Sequence, residues 1–301
     1  MTSAPRRRLP PEQWVHDHLA RLQAAADRRP ATRYALEIAL FAVKQAWACL
    51  FGVLMLALLL ATRFLYPDDA PLSRYDFLTL AAVAIQLGML AFRLESLDEA
   101  KVILAFHVVG TIMELFKTAA GSWLYPEDSL LRIGAVPLFT GFMYAAVGSY
   151  IARVWRLFDI RFSHYPPLWG TWLLAAAIYV NFFAHHWLPD IRLVLFAATI
   201  LLFWRSLFWI KADRAWRPMP VLLGFFLVAG CIWIAENVGT YSRAWLYPGQ
   251  DGGWRMVDPA KLGSWFLLMI ISVVLVSVVQ RPRDREGRLL GVRTVTKGLQ
   301  N

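Results

Sequence analysis

The chain has 301 residues, 58% hydrophobic and 17% charged, with a formal net charge of +10. Soluble domains average about 25% charge and 45–50% apolar residues, so the composition excludes an ordinary soluble domain and points to the membrane. The basic excess does not call for nucleic acid: no recognition motif accompanies it, and the positive-inside rule accounts for the same charges.

Residues 1–34 form a basic segment. Within it Val15, Leu19 and Leu22 share one helical face between arginines, which predicts an amphipathic helix on the inner leaflet. The apolar run that follows is too long for a signal-peptide core and is expected to stay as the first span. Eight spans are predicted, over residues 35–61, 76–92, 99–117, 134–153, 168–186, 191–210, 220–239 and 261–280. All must be helical, because a backbone in lipid has to satisfy its own hydrogen bonds. The predicted fold is all-α, a polytopic transmembrane helical bundle. Cys49 and Cys231 fall inside apolar spans and read as small buried hydrophobes.

Charge asymmetry orients the spans. With a cytoplasmic N-terminus, twenty-one Lys and Arg lie on the inner side, including Arg6 to Arg8, Arg153, Arg156, Arg161, Lys211 and Arg281 to Lys297. Seven lie outside: Arg63, Arg74, Arg132, Arg192, Arg243, Arg255 and Lys261. Both termini, the tail 281–301 included, are therefore predicted to be cytoplasmic.

The segment MELFKTAAGSWLYPE is answered by IAENVGTYSRAWLYPG. Glu114, Thr118, Trp123, Tyr125 and Pro126 recur as Glu236, Thr240, Trp245, Tyr247 and Pro248, all at an offset of 122. Pro67 and Asp68 match Pro189 and Asp190 at the same offset. Two parallel four-span repeats, 35–157 and 158–280, follow from an even number of spans per half.

Glu114 and Glu236 lie two to three turns before the interfacial Trp-x-Tyr-Pro, a depth at which ionisable groups usually face a cavity or a partner. The bland reading is that each only hydrogen-bonds a neighbouring helix. His107, Thr111, Glu114 and Thr118 share one helical face, and Lys117 stands three residues from Glu114, near enough to pair with it. The offset sets Ala229 against His107 and Gly239 against Lys117, so one half-site is specialised. The predicted catalytic set is Glu114, Glu236, His107 and Lys117. Trp123, Tyr125, Trp245, Tyr247, Thr118, Thr240 and Asn237 are predicted to contact a hydrophobic substrate.

NFFAHHWLPD adds Asn181, His185, His186 and Asp190. A metal held by His107, His185 and His186 is the alternative, but adjacent helical residues point about 100° apart and no HExxH motif is present. No metal or cofactor is predicted. P-loop, dinucleotide and nucleophile-elbow motifs are likewise missing from the sequence.

The stretches FKTAAGSWLYPEDSLLRIGAVPLFTGFMYAAVGSYIARVWRLFDIRF, YVNFFAHHWLPD and AENVGTYSRAWLYPGQ closely resemble the YoaT-like family of bacterial integral membrane proteins, a domain of unknown function. The resemblance covers about residues 34–283 and implies an inner-membrane protein without supplying an activity. The order of glutamate, Gly-x-Trp-x-Tyr-Pro and then IGAVPLFTGFMYA also resembles membrane-embedded carotenoid hydratases and lycopene cyclases. That likeness implies acids at Glu114 and Glu236, the turn at Tyr125 and Tyr247, and the next helix opening at Pro137; KLGSWFLL in the second half has no such proline.

Protonating an isolated C=C bond in lipid calls for a carboxylic acid kept neutral and aromatic faces for the cation. The sequence therefore supports an intramembrane acid–base enzyme acting on an isoprenoid or another lipid, with membrane lipids as its surroundings. The rivals are a proton-coupled transporter, which would need broken helices near mid-membrane with Gly110, Gly230 and Gly239 as places for them, and a structural subunit.

Overall fold

A computed structural model describes residues 30–291; the segment around Val15, Leu19 and Leu22 lies outside them. Its helices are α1 (Pro30–Ala48), α2 (Leu50–Leu65), α3 (Arg74–Ala91), α4 (Leu97–Ala119), α5 (Phe139–Leu157), α6 (Leu168–Ala184), α7 (Arg192–Phe203), α8 (Val221–Tyr241) and α9 (Ala260–Val279). Among them α3, α4, α8 and α9 are each long and apolar enough to cross a membrane, and α1 with α2 passes the same test as a bent pair. The protein is a multi-pass helical membrane protein.

Local signals set the starts of α3 and α4. Ser73 accepts the Asp76 amide, and Ser96 with Glu99 forms a reciprocal capping box. α4 and α5 then run along each other, brought close by small residues: Gly110 lies against Tyr144, and Gly148 against Phe106. The largest buried cluster includes Trp155, Phe158, Phe162, Phe203 and Phe225, where α5, α7 and α8 meet a small sheet.

Helices α2, α4, α6 and α8 end at one end of the bundle, where α3, α5, α7 and α9 begin. That end carries both Trp-Leu-Tyr-Pro segments. There Arg74 donates to the Ser242 carbonyl at 2.9 Å, and the Tyr75 hydroxyl to the Ala244 carbonyl at 3.0 Å. Asp76 accepts the amides of Leu130 and Leu131.

Two expectations are corrected, and one requirement of the transporter rival is tested. The predicted first span is not one straight helix: α1 and α2 meet at Cys49 with a bend of 60°. The cause is a side chain entering the helical ladder, since the Arg153 guanidinium donates to the Trp47 carbonyl at 3.0 Å.

The helix predicted over 191–210 stops at Phe203, and the fold is not purely α. β3 (Arg161–Ser163), β4 (Leu207–Lys211) and β5 (Trp216–Pro220) form an antiparallel sheet, with a two-residue hairpin, β1 (Arg132–Ile133) and β2 (Val136–Pro137), at the other end of the bundle. Pro218 and Pro220 preclude a helix in β5, and an edge strand tolerates them.

Finally, α4 runs unbroken through Gly110 and α8 through Gly230 and Gly239, so the break in the bundle is at Cys49 instead.

Arg153 is also the hub of a buried polar cluster. Its guanidinium and the Glu95 carboxylate, both fully buried, meet at 2.8 Å. Ser149 and Gln86 donate to the same carboxylate, and Arg156 pairs with Glu99 at 2.8 Å. Both Glu95 oxygens are satisfied, which makes such a buried pair tolerable, while Arg153 Nε is buried without a hydrogen-bond partner among the described residues.

Candidate functional site

The two Trp-Leu-Tyr-Pro segments leave α4 and α8 and meet each other. Leu124 and Leu246 exchange both backbone hydrogen bonds, at 3.0 and 2.9 Å, as an antiparallel bridge. The bridge fixes the flanking aromatics: Trp123 of one segment packs edge-on against Tyr247 of the other, with ring centroids 6.1 Å apart.

Below the bridge, Glu114 and Glu236 line one cavity of about 700 Å³. Glu114 Oε2 accepts from Trp123 Nε1 at 2.7 Å and from the Tyr125 hydroxyl at 2.5 Å, while Oε1 accepts from the Tyr144 hydroxyl at 2.8 Å. Gly110 sets up the last contact: a Cβ there would fall 2.5 Å from Tyr144 Cγ, so only glycine lets that ring lie against α4. Glu236 is held alike, Oε1 by the Tyr247 hydroxyl and Oε2 by Trp265 Nε1 at 2.8 Å. In both halves the phenol stands eleven residues after its glutamate.

The donors are neutral, and the indoles can only donate. Each glutamate therefore has one oxygen fixed as an acceptor by a tryptophan. A proton on the carboxyl group belongs on the other oxygen, which faces Tyr144 or Tyr247. The phenols of Tyr125 and Tyr247 are pushed above their usual range, first by burial and then by the adjoining glutamate, so both stay protonated at neutral pH.

Trp123, Tyr125, Trp245 and Tyr247 all line the cavity with the glutamates. The Trp245 ring lies against α8, where a Cβ on Gly239 would sit 2.1 Å from it. Lys117 lines it too, but not as a partner of Glu114. Its ammonium lies 3.4 Å from His185 Nε2, 3.1 Å from His186 Nε2 and over the Phe182 ring.

The remaining predicted residues stand apart from the cavity wall. His107 packs in the α4–α5 seam against Gly141 and the Phe142 ring. Thr240 accepts from Trp254 Nε1 at 3.1 Å, and Asn237 accepts the Val257 amide at 2.9 Å, so both anchor the loop that returns to α9. Thr118 Oγ1 is buried without a hydrogen-bond partner among the described residues. The alternative metal set is not assembled: among the described residues no group of three or more His, Cys, Asp or Glu is placed to hold an ion.

Three residues of the site are not singled out by the repeat: Tyr144, Trp265 and Lys261. The Lys261 ammonium lies 4.3 Å from the centre of the Tyr247 ring and 5.6 Å from that of Trp123. Tyr144 and Trp265 sit near the starts of α5 and α9, and the 122-residue offset places Trp265 opposite Met143, one position away from Tyr144. The last donor therefore comes from α5 for one glutamate and from α9 for the other, with different side chains.

Residues 37–273 match the family model described as a protein of unknown function, DUF817. The chain belongs to the DUF817 family. It is 40% identical over 249 residues to the uncharacterized protein YoaT of Bacillus subtilis (strain 168), covering 83% of this chain and 94% of YoaT. Among solved structures it is similar to MvINS, a mycobacterial Insig homolog from Mycobacterium vanbaalenii. There the TM-score is 0.43 at 15% identity, over 63% of this chain and 98% of that one.

Proposed function

We propose that this DUF817 protein is an intramembrane acid–base enzyme acting on an isoprenoid or another lipid, with Glu114 and Glu236 as its paired acids. The observation that carries the reading is that both carboxyl groups line one largely apolar cavity, each oriented by a phenol and an indole. In this reading the chain crosses a bacterial inner membrane eight times as two parallel repeats, with both termini cytoplasmic. The bridge between Leu124 and Leu246, residues one repeat apart, supports that symmetry, as does the charge bias.

The chemistry runs through the Glu–Tyr pairs. A phenol O–H gives its proton to a C=C bond of the substrate, and the carboxyl proton of its glutamate moves to the phenolate. The tertiary cation lies against the aromatic faces of Trp123, Tyr125 and Trp245. Water adds to it, or a neighbouring double bond closes on it, and the proton released returns through the phenol to the carboxylate.

Proton-coupled transport is the second reading, and one observation favours it. The bend at Cys49 is a broken helix on the cavity wall, the feature that repeat-built transporters use at their binding sites.

The test is mass spectrometry of total lipids from a bacterial host lacking the gene, complemented with wild type, Glu114→Gln or Glu236→Gln. The enzyme reading expects a lipid changed by water or by isomerisation, restored by wild type and by neither variant. Identical lipids in all strains, together with uptake into proteoliposomes that collapses with the proton gradient, would establish the transporter instead.

A further inference from the structure

The cavity is chemically lopsided. At the end carrying the Trp-Leu-Tyr-Pro segments its wall includes Lys117, Lys261 and His185, together with Arg192 and Asp258; along the rest of its length it is walled by residues such as Phe41, Val53, Leu56, Val228 and Leu268. Arg192 has a partner, Asp190, at 3.0 Å. The two lysines do not. Lys117 is 4% exposed and touches only imidazole nitrogens and a phenyl face. Lys261 lies over the rings of Tyr247 and Trp123.

Among the described residues no carboxylate lies within 4.0 Å of either ammonium. Glu114 and Glu236 share the wall, but their oxygens are occupied by Tyr and Trp donors. Asp258 and Glu236 share the wall near Lys261, but neither carboxylate touches an ammonium; a buried cation with no carboxylate in contact is costly, which suits this end of the cavity to a bound anion.

The other end says what that anion is attached to. Phe41, Val53, Leu227 and Cys231 line the cavity and are also exposed on the apolar flank of the bundle. Helices α2 and α8 touch near the motif end, where Phe64 meets Tyr241 with ring centroids 6.3 Å apart. On either side of the bend at Cys49 those four cavity-lining residues, from α1, α2 and α8, bring the cavity to the flank of the bundle.

We propose that the substrate is an amphiphile with a phosphate head and a hydrocarbon tail. The head sits between the ammoniums of Lys117 and Lys261, and the tail runs past Phe41 and Val53 to the flank of the bundle. The inference rests on the acid–base reading: with both glutamates neutral the cations Lys117, Lys261 and Arg192 outweigh Asp258 on the wall, and with both ionised the charges cancel. It adds the substrate class: the double bond is presented to Glu114 and Glu236 by a head anchored at the lysines.

The full chain, purified in a neutral maltoside detergent, is titrated with hexadecyl phosphate, hexadecanol or inorganic phosphate and read by native mass spectrometry. Hexadecyl phosphate is expected to bind at least about tenfold tighter than hexadecanol, and inorganic phosphate alone neither to bind nor to compete. The Lys117→Gln/Lys261→Gln variant is expected to lose that margin while keeping the affinity for hexadecanol, a retained binding that also proves it folded. Equal binding of alcohol and phosphate, or a margin that survives the double substitution, overturns the proposal. Binding of inorganic phosphate alone makes this a free-anion site and overturns it too.

The Glu114→Gln/Glu236→Gln variant separates the two readings. Unchanged affinity for hexadecyl phosphate agrees with neutral acids. A tenfold gain means that the glutamates carry charge in the cavity, which sinks the acid reading while the lysine dependence stands on its own result.

Discussion

Leu124 and Leu246, 122 positions apart, each donate to and accept from the other's backbone. Residues matched by the 122-residue sequence offset thus face each other in one antiparallel pair. The same contact seats Trp123 against Tyr247 and so ties each glutamate's donors to the opposite segment. Proline at position 124 or 246 removes one of the two amide donors. Each substitution is expected to lower stability in detergent by about 1 kcal/mol, near the net worth of one hydrogen bond, and the double variant to fall well short of the sum. Thermal unfolding of the four proteins checks this; full additivity would mean that the two leucines do not share a contact.

Tyr247 and Tyr144 face the carboxyl oxygens that are free of tryptophan. Tyr247→Phe and Tyr144→Phe are each expected to reduce formation of the lipid product by about 10²-fold, the lower end of the range for a positioned acid or base. Trp265→Phe, which only removes a fixed donor, is expected to cost less. Rates are to be compared at matched amounts of folded protein, and a larger loss in Trp265→Phe than in Tyr247→Phe would refute the phenol relay.

Arg153 and Glu95 are both fully buried, so they rise and fall together. Arg153→Met leaves a carboxylate without its partner and is expected to cost roughly 3–5 kcal/mol, seen as lost folded yield. Adding Glu95→Met is expected to restore much of it. No recovery in the double variant would show that the Trp47 carbonyl, rather than Glu95, is what Arg153 serves.

Two glycines of α8 make a contrast. A methyl group on Gly239 would enter the Trp245 ring, whereas nothing lies within 4 Å of one on Gly230. Gly239→Ala is expected to destabilise by about 1–3 kcal/mol through overpacking, and to displace Trp245 from the cavity. Gly230→Ala is expected to be neutral or to stabilise by up to about 1 kcal/mol. Unfolding midpoints in detergent, with tryptophan emission as a second readout, decide the matter.

What the sequence made legible is what one helix or one duplicated motif carries within itself. The duplicated motif singled out both glutamates and both tyrosines, though not that each pair is hydrogen-bonded, and apolar runs gave most helices to within a few residues. What it hid depends on distant partners. Lys261 reads as an ordinary interfacial lysine until α9 sets it over Tyr247. His107 shares a helical face with Glu114, yet Gly141 admits its ring into the α4–α5 seam, short of the cavity. The bend at Cys49 has no proline or glycine at its apex to announce it, because its cause, Arg153, is more than a hundred residues away. The sheet at the far end was masked by hydrophobicity: LFWIK extends an apolar helix as readily as it forms a strand until the prolines of its partner are considered.

The dependence of that bend on Arg153 also bears on how the chain is made. Helices α1 and α2 leave the ribosome about a hundred residues before Arg153 does, so during that interval nothing pulls on the Trp47 carbonyl and the segment can lie straight as a single long span. When α5 arrives, its guanidinium is not stable against lipid and must find Glu95 and Trp47 together. On this order of events the bend at Cys49 is expected to form late, when the fifth helix docks against the first.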